Sequence, residues 1–238
     1  MILASMMLVL ATTPFSLPAA AKDEAKTSGW ELLATSFFAG RYKAYMTESR
    51  AEFDNGVVKF YITPPDYTRL TIVNAEEKKF LDVKIEDWLK QNVGAAPAFD
   101  KWNFKYVGDA VIEGLKCRHY QSHYGRVEAN YYSTSMIAAK KELANACCRF
   151  ACVPVGYGVP IRFQAALLAR VTNPSKTRLI KGATPILDVL HVRRIPLAAS
   201  DFVTAPSGYK KTSDPAELYL GSDLESMFQQ PLGKSSKH

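Results

Sequence analysis

The chain has no apolar run long enough to cross a bilayer, which takes about 20 apolar residues in a helix. The run from Met1 to Ala11 is shorter and is followed by a stretch that Pro14 and Pro18 interrupt. An apolar core, a helix-breaking stretch and the small residues Ala19 to Ala21 are typical of a secretory signal, although no Lys or Arg precedes the core. We therefore predict that residues 1–21 are a signal peptide, cleaved near Ala21, and that the mature protein is periplasmic or secreted.

The chain also lacks the short motifs of several enzyme and nucleic-acid-binding classes. It contains no Gly-x-Ser-x-Gly elbow, and the Gly156-x-Gly158 pair precedes a strand pattern rather than a helix, which argues against a phosphate loop. Lys and Arg outnumber Asp and Glu by 30 to 23, but no basic run exceeds two residues, so no basic stripe marks a nucleic-acid interface. We expect a protein that is not an enzyme, uses no cofactor and binds no nucleic acid.

Cysteine is scarce, with only Cys117, Cys147, Cys148 and Cys152. An even number in an exported protein favours up to two disulfides. Adjacent Cys147 and Cys148 pair with each other only under strain, so the more plausible bridge joins Cys117 to one member of the cluster. Four buried free thiols are the alternative. A thiol enzyme that pairs the cluster with His191 is a weaker reading, because structural cysteines are commoner in exported proteins.

A metal site is also disfavoured. The cysteine cluster has no paired Cys-x-x-Cys units and no nearby His, which argues against zinc. Cys117, His119 and His123 would share one face of an extended strand. At about 3.3 Å per residue, however, the first and last of them lie some 20 Å apart, so they cannot share one ion in a straight strand. We expect no metal at these residues.

Strict alternation of apolar and polar residues dominates the middle of the chain and predicts antiparallel strands. Strands are predicted over residues 58–63, 69–72, 80–83, 102–107, 115–120, 126–131, 161–171 and 186–194. Helices are predicted over residues 29–38, 85–91, 135–151 and 216–228. The sequence has no internal repeat and no long linker, so we predict one domain. We predict that it has an α+β fold, with a curved antiparallel sheet of about eight or nine strands covered by a few helices.

Five segments of the chain resemble segments of a known protein family, and they follow one another in the same order as in that family. They are Gly56–Leu70 with its Pro-Asp-Tyr turn, Ile85–Leu89, Ile112–Tyr120, Gly156–Phe163 and Phe202–Lys210. Together they make most of residues 30–212 resemble the LolA/LolB-like lipoprotein carriers, and most closely exported domains of unknown function with that fold. The resemblance implies a LolA-like domain at residues 22–212. The Asp214-Pro215 start signal and the polar end of the chain predict a C-terminal helix and disordered tail at residues 213–238.

The resemblance further implies an incomplete β-barrel, closed by helices around an apolar cavity. The best-known carriers move the acyl chains of lipoproteins across the periplasm, so the expected partner is a lipid or other hydrophobic small molecule, with envelope lipoproteins as further candidates. Arg69 is the position nearest to the ligand-gating Arg of that group. An ordinary exposed strand residue is its alternative reading.

The apolar inner face of the predicted sheet therefore holds the candidate ligand-binding residues. These are Phe60, Ile62, Leu70, Ile72, Ile161, Phe163 and Leu167. We predict a non-enzymatic exported protein that holds an apolar ligand, with the helix around Met136–Ala151 as plug or lid. Any one of the seven is more often core than ligand contact. The alternative function is a structural or partner-binding envelope protein whose sheet is fully packed.

Overall fold

The computed structural model of the chain describes residues 27–37, 39–93, 102–124, 127–167, 184–202 and 207–219. The predicted signal peptide lies outside these residues. Within them the chain forms twelve strands and three α-helices. The strands are β1 (Thr27–Ser36), β2 (Gly40–Met46), β3 (Ala51–Asp54), β4 (Lys59–Ile62), β5 (Arg69–Asn74), β6 (Lys79–Lys84), β7 (Lys105–Ile112), β8 (Leu115–Tyr124), β9 (Val127–Thr134), β10 (Val159–Leu167), β11 (Thr184–Leu197) and β12 (Lys210–Lys211). The helices are α1 (Ile85–Val93), α2 (Lys141–Phe150) and α3 (Ala216–Tyr219), and a 3-10 helix spans Ala199–Asp201.

All twelve strands belong to one mixed sheet, in the order β12-β6-β5-β4-β3-β2-β1-β11-β10-β9-β8-β7. Strands β1 to β6 follow one another across one half, and β7 to β11 do the same across the other. The halves meet where β1 pairs with β11, from Thr27 opposite Leu197 to Ser36 opposite Leu187. Only β12 and β6 pair in parallel. The edge strands β12 and β7 do not pair with each other, so the described sheet is open.

This architecture corrects the predicted fold class. An incomplete barrel of eight or nine antiparallel strands covered by helices is wrong, because one twelve-stranded mixed sheet is present, it is not closed into a barrel, and its helices are few and short. The longest described helix has 10 residues, about 15 Å, whereas twelve strands at about 4.8 Å spacing extend over roughly 50 Å. Such helices cover only part of one sheet face.

The predicted N-terminal helix at residues 29–38 is also wrong, because these residues form β1. Trp30, Leu32 and Ala34 are buried in alternation, which is the period of a strand. Leu33 and Phe37 fit a helical spacing with Trp30, but Leu33 is only half-buried and Phe37 is exposed. Strand β1 lies between β2 and β11, so its backbone groups find partners on both sides.

Other predicted elements are confirmed. Helix α1 begins at Ile85 as predicted, and β5 and β6 form the expected hairpin, closed by Asn74 opposite Lys79. Helix α2 occupies only Lys141–Phe150 of the predicted 135–151. Helix α3 begins at Ala216, whose backbone N–H donates to Asp214 Oδ1 at 2.9 Å, so the Asp-Pro start signal acts as a cap. The predicted helix beyond residue 219 lies outside the described residues.

The core divides between the two faces of the sheet. On the inner face, defined here by Leu32, Phe60 and Phe163, the large cluster of buried side chains includes those of α1, α2 and Leu218 of α3. On the outer face a small cluster lies around Tyr61, Val73, Leu197 and Phe202. Among the described helices, none is long and apolar enough to cross a membrane.

Candidate functional site

The predicted ligand-binding residues lie in two separate parts of the inner face. Phe60 and Ile62 are on β4 and Leu70 and Ile72 on β5, whereas Ile161 and Phe163 are on β10, five strand positions from β4. All six are at most 3% exposed. Leu167 ends β10, and its side chain is outside the described set. Helix α2 contacts both β4 and β10, so it occupies the space between the two groups.

Aromatic side chains from the helices fill the space above β3 and β4. The ring of Phe150, at the end of α2, lies with its centroid 4.4 Å from that of Phe53 and 5.1 Å from that of Phe60. Trp88 of α1 stacks on Phe150 at 5.5 Å and meets Phe60 edge-on at 5.6 Å. These separations are in the range of favourable aromatic pairs, so native side chains pack this part of the interior.

A second aromatic cluster fills the inner face at β8 to β10. Tyr131 is fully buried, with ring centroids of Phe163 and Phe104 each 6.0 Å away. The ring centroid of Tyr157 lies 5.7 Å from that of Tyr131 and 4.7 Å from that of Tyr120. The predicted ligand contact Phe163 is therefore covered by aromatic residues of the chain itself.

One small cavity remains between the sheet and α2, with a volume of about 20 Å³. Its walls are mainly apolar: Leu32, Ala34, Tyr42, Ala44, Met46, Phe53, Cys147, Ala151, Val159, Pro160, Leu187 and Val189. A volume of this size holds about one water molecule, and ligand pockets usually measure roughly 300–1,000 Å³. An acyl chain does not fit while α2 stays in this position.

All four cysteines are buried free thiols in this structure. Cys147 lines the small cavity, and Cys148 Sγ lies 3.6 Å from both Tyr131 Oη and the carbonyl oxygen of Gly158. Burial raises the pKa of the Cys148 thiol to about 12 and that of Cys152 to about 11. Burial also raises the pKa of Cys147 and Cys117. Thiols in such surroundings are weak nucleophiles, because the thiolate is the reactive form.

The histidines considered as metal ligands have other partners. His119 stacks on Tyr132 with ring centroids 4.3 Å apart, and its Nε2 lies 2.8 Å from Asn130 Oδ1. His123 Nε2 lies 3.5 Å from a carboxylate oxygen of Glu128. Among the described residues no group of three or more His, Cys, Asp or Glu side chains is arranged to hold a metal ion.

The other two candidates for a special role are exposed strand residues. His191 lies on β11 opposite Leu33 and is exposed, whereas Cys147 and Cys148 are buried residues of α2. Arg69 opens β5, and its Nη2 donates to the carbonyl oxygen of Asp82 on the neighbouring strand at 3.3 Å. Its contact is therefore to the edge of the sheet rather than to α2.

The sequence reasoning did not single out the edge strand β7. Tyr106, Val107 and Val111 are 56%, 50% and 72% exposed. They are three of the eight exposed large apolar side chains of the described residues. The available signal was the Val107 and Val111 pair in a run with few charges, but alternation alone cannot show which strand lies at an edge.

The sequence matches no family model and no curated protein. Part of the chain is similar to PNGF-II in two crystal forms. The C2 form has 10% identity, a TM-score of 0.42 and coverage of 82% of this chain and 32% of that chain. The P21 form has 8% identity, a TM-score of 0.41 and coverage of 78% and 31%. The chain thus spans about a third of the PNGF-II chain, and likeness at this level carries no argument about fold or function. The resemblance to the LolA/LolB-like carriers stays a prediction.

Proposed function

We propose that the protein is an exported, non-enzymatic binding protein that recognises a partner protein through the surface of its sheet. This is the alternative in which the sheet is fully packed. It is supported by the cavity between the sheet and α2, which measures about 20 Å³, far below the volume of a ligand pocket. The buried thiols with raised pKa values also argue against thiol chemistry.

The observation that carries this proposal is the exposed apolar surface of β7. Single exposed apolar residues are ordinary on soluble proteins, but Tyr106, Val107 and Val111 lie on one strand of eight residues. Natural proteins usually protect a long edge strand, because it can pair with another chain. An apolar edge strand with this exposure therefore favours a partner-binding role.

Site-specific photo-crosslinking tests the proposal. A photoreactive phenylalanine analogue replaces Tyr106 in one variant of the full chain, and exposed Val57 in the turn before β4 as the matched control. Irradiation of cells that export the protein should give a discrete crosslinked partner with the first variant and none with the second. Equal crosslinking at both positions, or none at either, would overturn the proposal.

Binding of a lipid, acyl chain or other apolar ligand is the second candidate. The apolar cavity beneath α2 favours it, because a displaced α2 would join this cavity to the space now filled by Phe150. In this state the ligand would replace the contacts of α2 with Phe53 and Phe60. In such a carrier the free energy needed to displace α2 would weaken the observed affinity for the ligand.

A fluorescent fatty acid distinguishes the two candidates. For a carrier, fluorescence should saturate at one site, and Ala44→Phe at the cavity wall should weaken binding, whereas exposed Val57→Phe should not. For the packed protein we expect no saturable binding. Native mass spectrometry of protein purified from the exporting host should then show no copurified lipid.

A further inference from the structure

We propose that β7 accepts an extended segment of the partner protein as an additional strand, and that this segment carries both apolar and acidic residues on the face that Tyr106 and Val111 share. The inference rests on the proposed function and specifies the partner for the same surface. Among the described residues, β7 pairs only with β8, so its second edge has no strand partner. An extended peptide that adds to such an edge gains main-chain hydrogen bonds, while its side chains supply specificity.

The side chains of β7 place an apolar strip beside that edge. A bulge between Tyr106 and Gly108 brings Tyr106 and Asp109 to the same face, where Tyr106 Oη donates to Asp109 Oδ1 at 2.8 Å. The register places Val111 on this face as well, opposite Lys116 of β8. Apolar and aromatic cross-strand pairs stabilise neighbouring strands, so apolar residues of an added strand would be stabilised there.

The charges around the strip are mainly basic. Lys105, Lys116 and Arg118 are all exposed, and none of them forms an ion pair with another described residue. The carboxylate of Asp109 lies opposite Arg118 and accepts the hydrogen bond from Tyr106. Lys116 and Arg118 lie on β8, opposite Val111 and Asp109, so they share the face of the strip and lie two strand spacings, about 10 Å, from an added strand. Acidic side chains on that face of the incoming segment would be attracted to these basic groups, in a chain whose formal net charge is +7.

Charge argues against a second copy of this chain as the occupant. Lys105 of β7 and the β8 residues Lys116 and Arg118 make this edge basic, so pairing β7 with another β7 would bring two basic edges together. Like charges brought close together repel, and each copy carries a formal net charge of +7. A separate protein with an acidic and apolar extended segment avoids this repulsion.

Peptide binding tests the inference with the full mature chain. The probe is the fluorescein-labelled peptide Val-Thr-Glu-Thr-Val-Thr-Glu-Thr, which places valine and glutamate on one face of a strand. Its matched control has lysine in place of glutamate. Fluorescence anisotropy at low salt should show binding of the glutamate peptide, at least about tenfold tighter than the lysine peptide, and weaker at high salt. Equal affinity for the two peptides would overturn the acidic preference.

Two sets of variants locate the binding surface. The double variant Tyr106→Ser with Val111→Ser should weaken peptide binding about tenfold, which corresponds to two lost apolar pairs. The double variant Lys116→Glu with Arg118→Glu should abolish the preference for glutamate over lysine. Val57→Ser and Lys84→Glu are the matched controls, since both positions are exposed and lie on the other half of the sheet. Equal losses in the controls would refute the assignment to β7.

Amide hydrogen exchange tests strand addition itself. Bound peptide should slow the exchange of β7 backbone amides by at least about tenfold and leave those of β12 unchanged. Binding without protection of β7 would overturn the strand-addition mode. Dimerisation of the protein alone at the same concentration, with the same protection, would show that a second copy is the occupant and would also overturn it.

These outcomes are separable from the proposed function. A partner crosslinked through position 106 that fails to protect β7 would leave partner recognition standing and remove strand addition. Peptide binding at β7 without any crosslinked partner in cells would leave the capacity for strand addition standing and remove the proposed partner recognition.

Discussion

The two halves of the sheet differ in how they are covered. Around β4 to β6, helices α1, α2 and α3 pack on the inner face, Leu197 and Phe202 cover part of the outer face, and β12 adds to the edge. Around β7 and β8 the outer edge has no strand partner among the described residues and exposes apolar side chains. Both halves have aromatic side chains packed on the inner face, so the halves differ chiefly at their edges. Among the described residues β6 is joined by β12, whereas β7 is unpaired on one side.

The edge strands show the same contrast on a smaller scale. Strand β12 has two residues, both Lys, and Lys211 Nζ lies 3.0 Å from Asp82 Oδ2. Short strands and lysines are devices that keep an edge from pairing with other chains. Strand β7 has eight residues and presents Tyr106 and Val111. Protection at one edge and exposure at the other is what a single docking site requires.

The largest expected effect concerns the four buried thiols. Since burial raises the pKa of Cys148 from 9.0 to about 12, its thiolate fraction near neutral pH should fall about a thousandfold. We expect negligible reaction with a thiol reagent in the native protein and release of four thiols in denaturant. Rapid labelling of the native protein would contradict the burial of these thiols. Fewer than four reactive thiols in denaturant without reductant would indicate a disulfide.

Phe150→Ala should give the largest loss of stability. Its ring packs against Phe53, Phe60 and Trp88, so its removal leaves a cavity in the best covered part of the core. We expect a decrease of about 3–5 kcal/mol in the free energy of unfolding, measured by urea denaturation. Val155→Ala at an exposed site is the control, with an expected change below about 0.5 kcal/mol. A small effect of Phe150→Ala would show that α2 is loosely held.

Leu218→Ala should destabilise the same half by a smaller amount. Leu218 is fully buried, and its carbonyl oxygen accepts a hydrogen bond from Asn74 Nδ2 at 2.7 Å. We expect a loss of about 2–3 kcal/mol, at the low end of the range for such truncations, because α3 has only four residues. Exposed Leu190→Ala serves as the control in the same urea experiment. Equal effects of the two changes would mean that α3 does not stabilise this edge.

The ion pair at the junction of the halves predicts a pH dependence. Two bonds from Arg193 hold Glu31, and they lower the pKa of its carboxyl below the ordinary 4.5. A carboxyl group whose pKa is lower in the folded state stabilises the fold at pH values above its ordinary pKa. This stabilisation is lost as the pH falls through the pKa of the folded state. Glu31→Gln should therefore be less stable than the native protein at pH 7, with a difference that shrinks below pH 4.5. A difference independent of pH would contradict this.

The smallest effect is expected at β7. Tyr106→Ser and Val111→Ser should each change the free energy of unfolding by less than about 0.5 kcal/mol, because both side chains are mostly exposed. The same substitutions should weaken partner binding. A stability loss as large as that of Leu218→Ala would erase the contrast between the halves.

Local patterns predicted the elements whose signals are local. The hairpin β5–β6, helix α1 and the start of α3 depend on alternation, amphipathic spacing and an Asp-Pro cap, all within a few residues. Strand β1 was predicted as a helix because its spacing of Trp30, Leu33 and Phe37 also fits a helical period. Its strand conformation depends on partners at β2 and β11, and β11 lies about 160 residues away.

The candidate site shows the same division. Alternation identified Phe60, Leu70, Ile161 and Phe163 as inward-facing, and all four are buried. It did not show that Phe150 and Trp88 would occupy the space above them, because that depends on where two helices dock.

The sequence by itself determined which strand faces are apolar, since a period of two follows from backbone geometry alone. Only the tertiary structure decided that α1 and α2 cover Phe60, that β1 joins the two halves, and that β7 is left at an edge of the described sheet. Those outcomes depend on contacts between residues far apart in the chain, which no local pattern records.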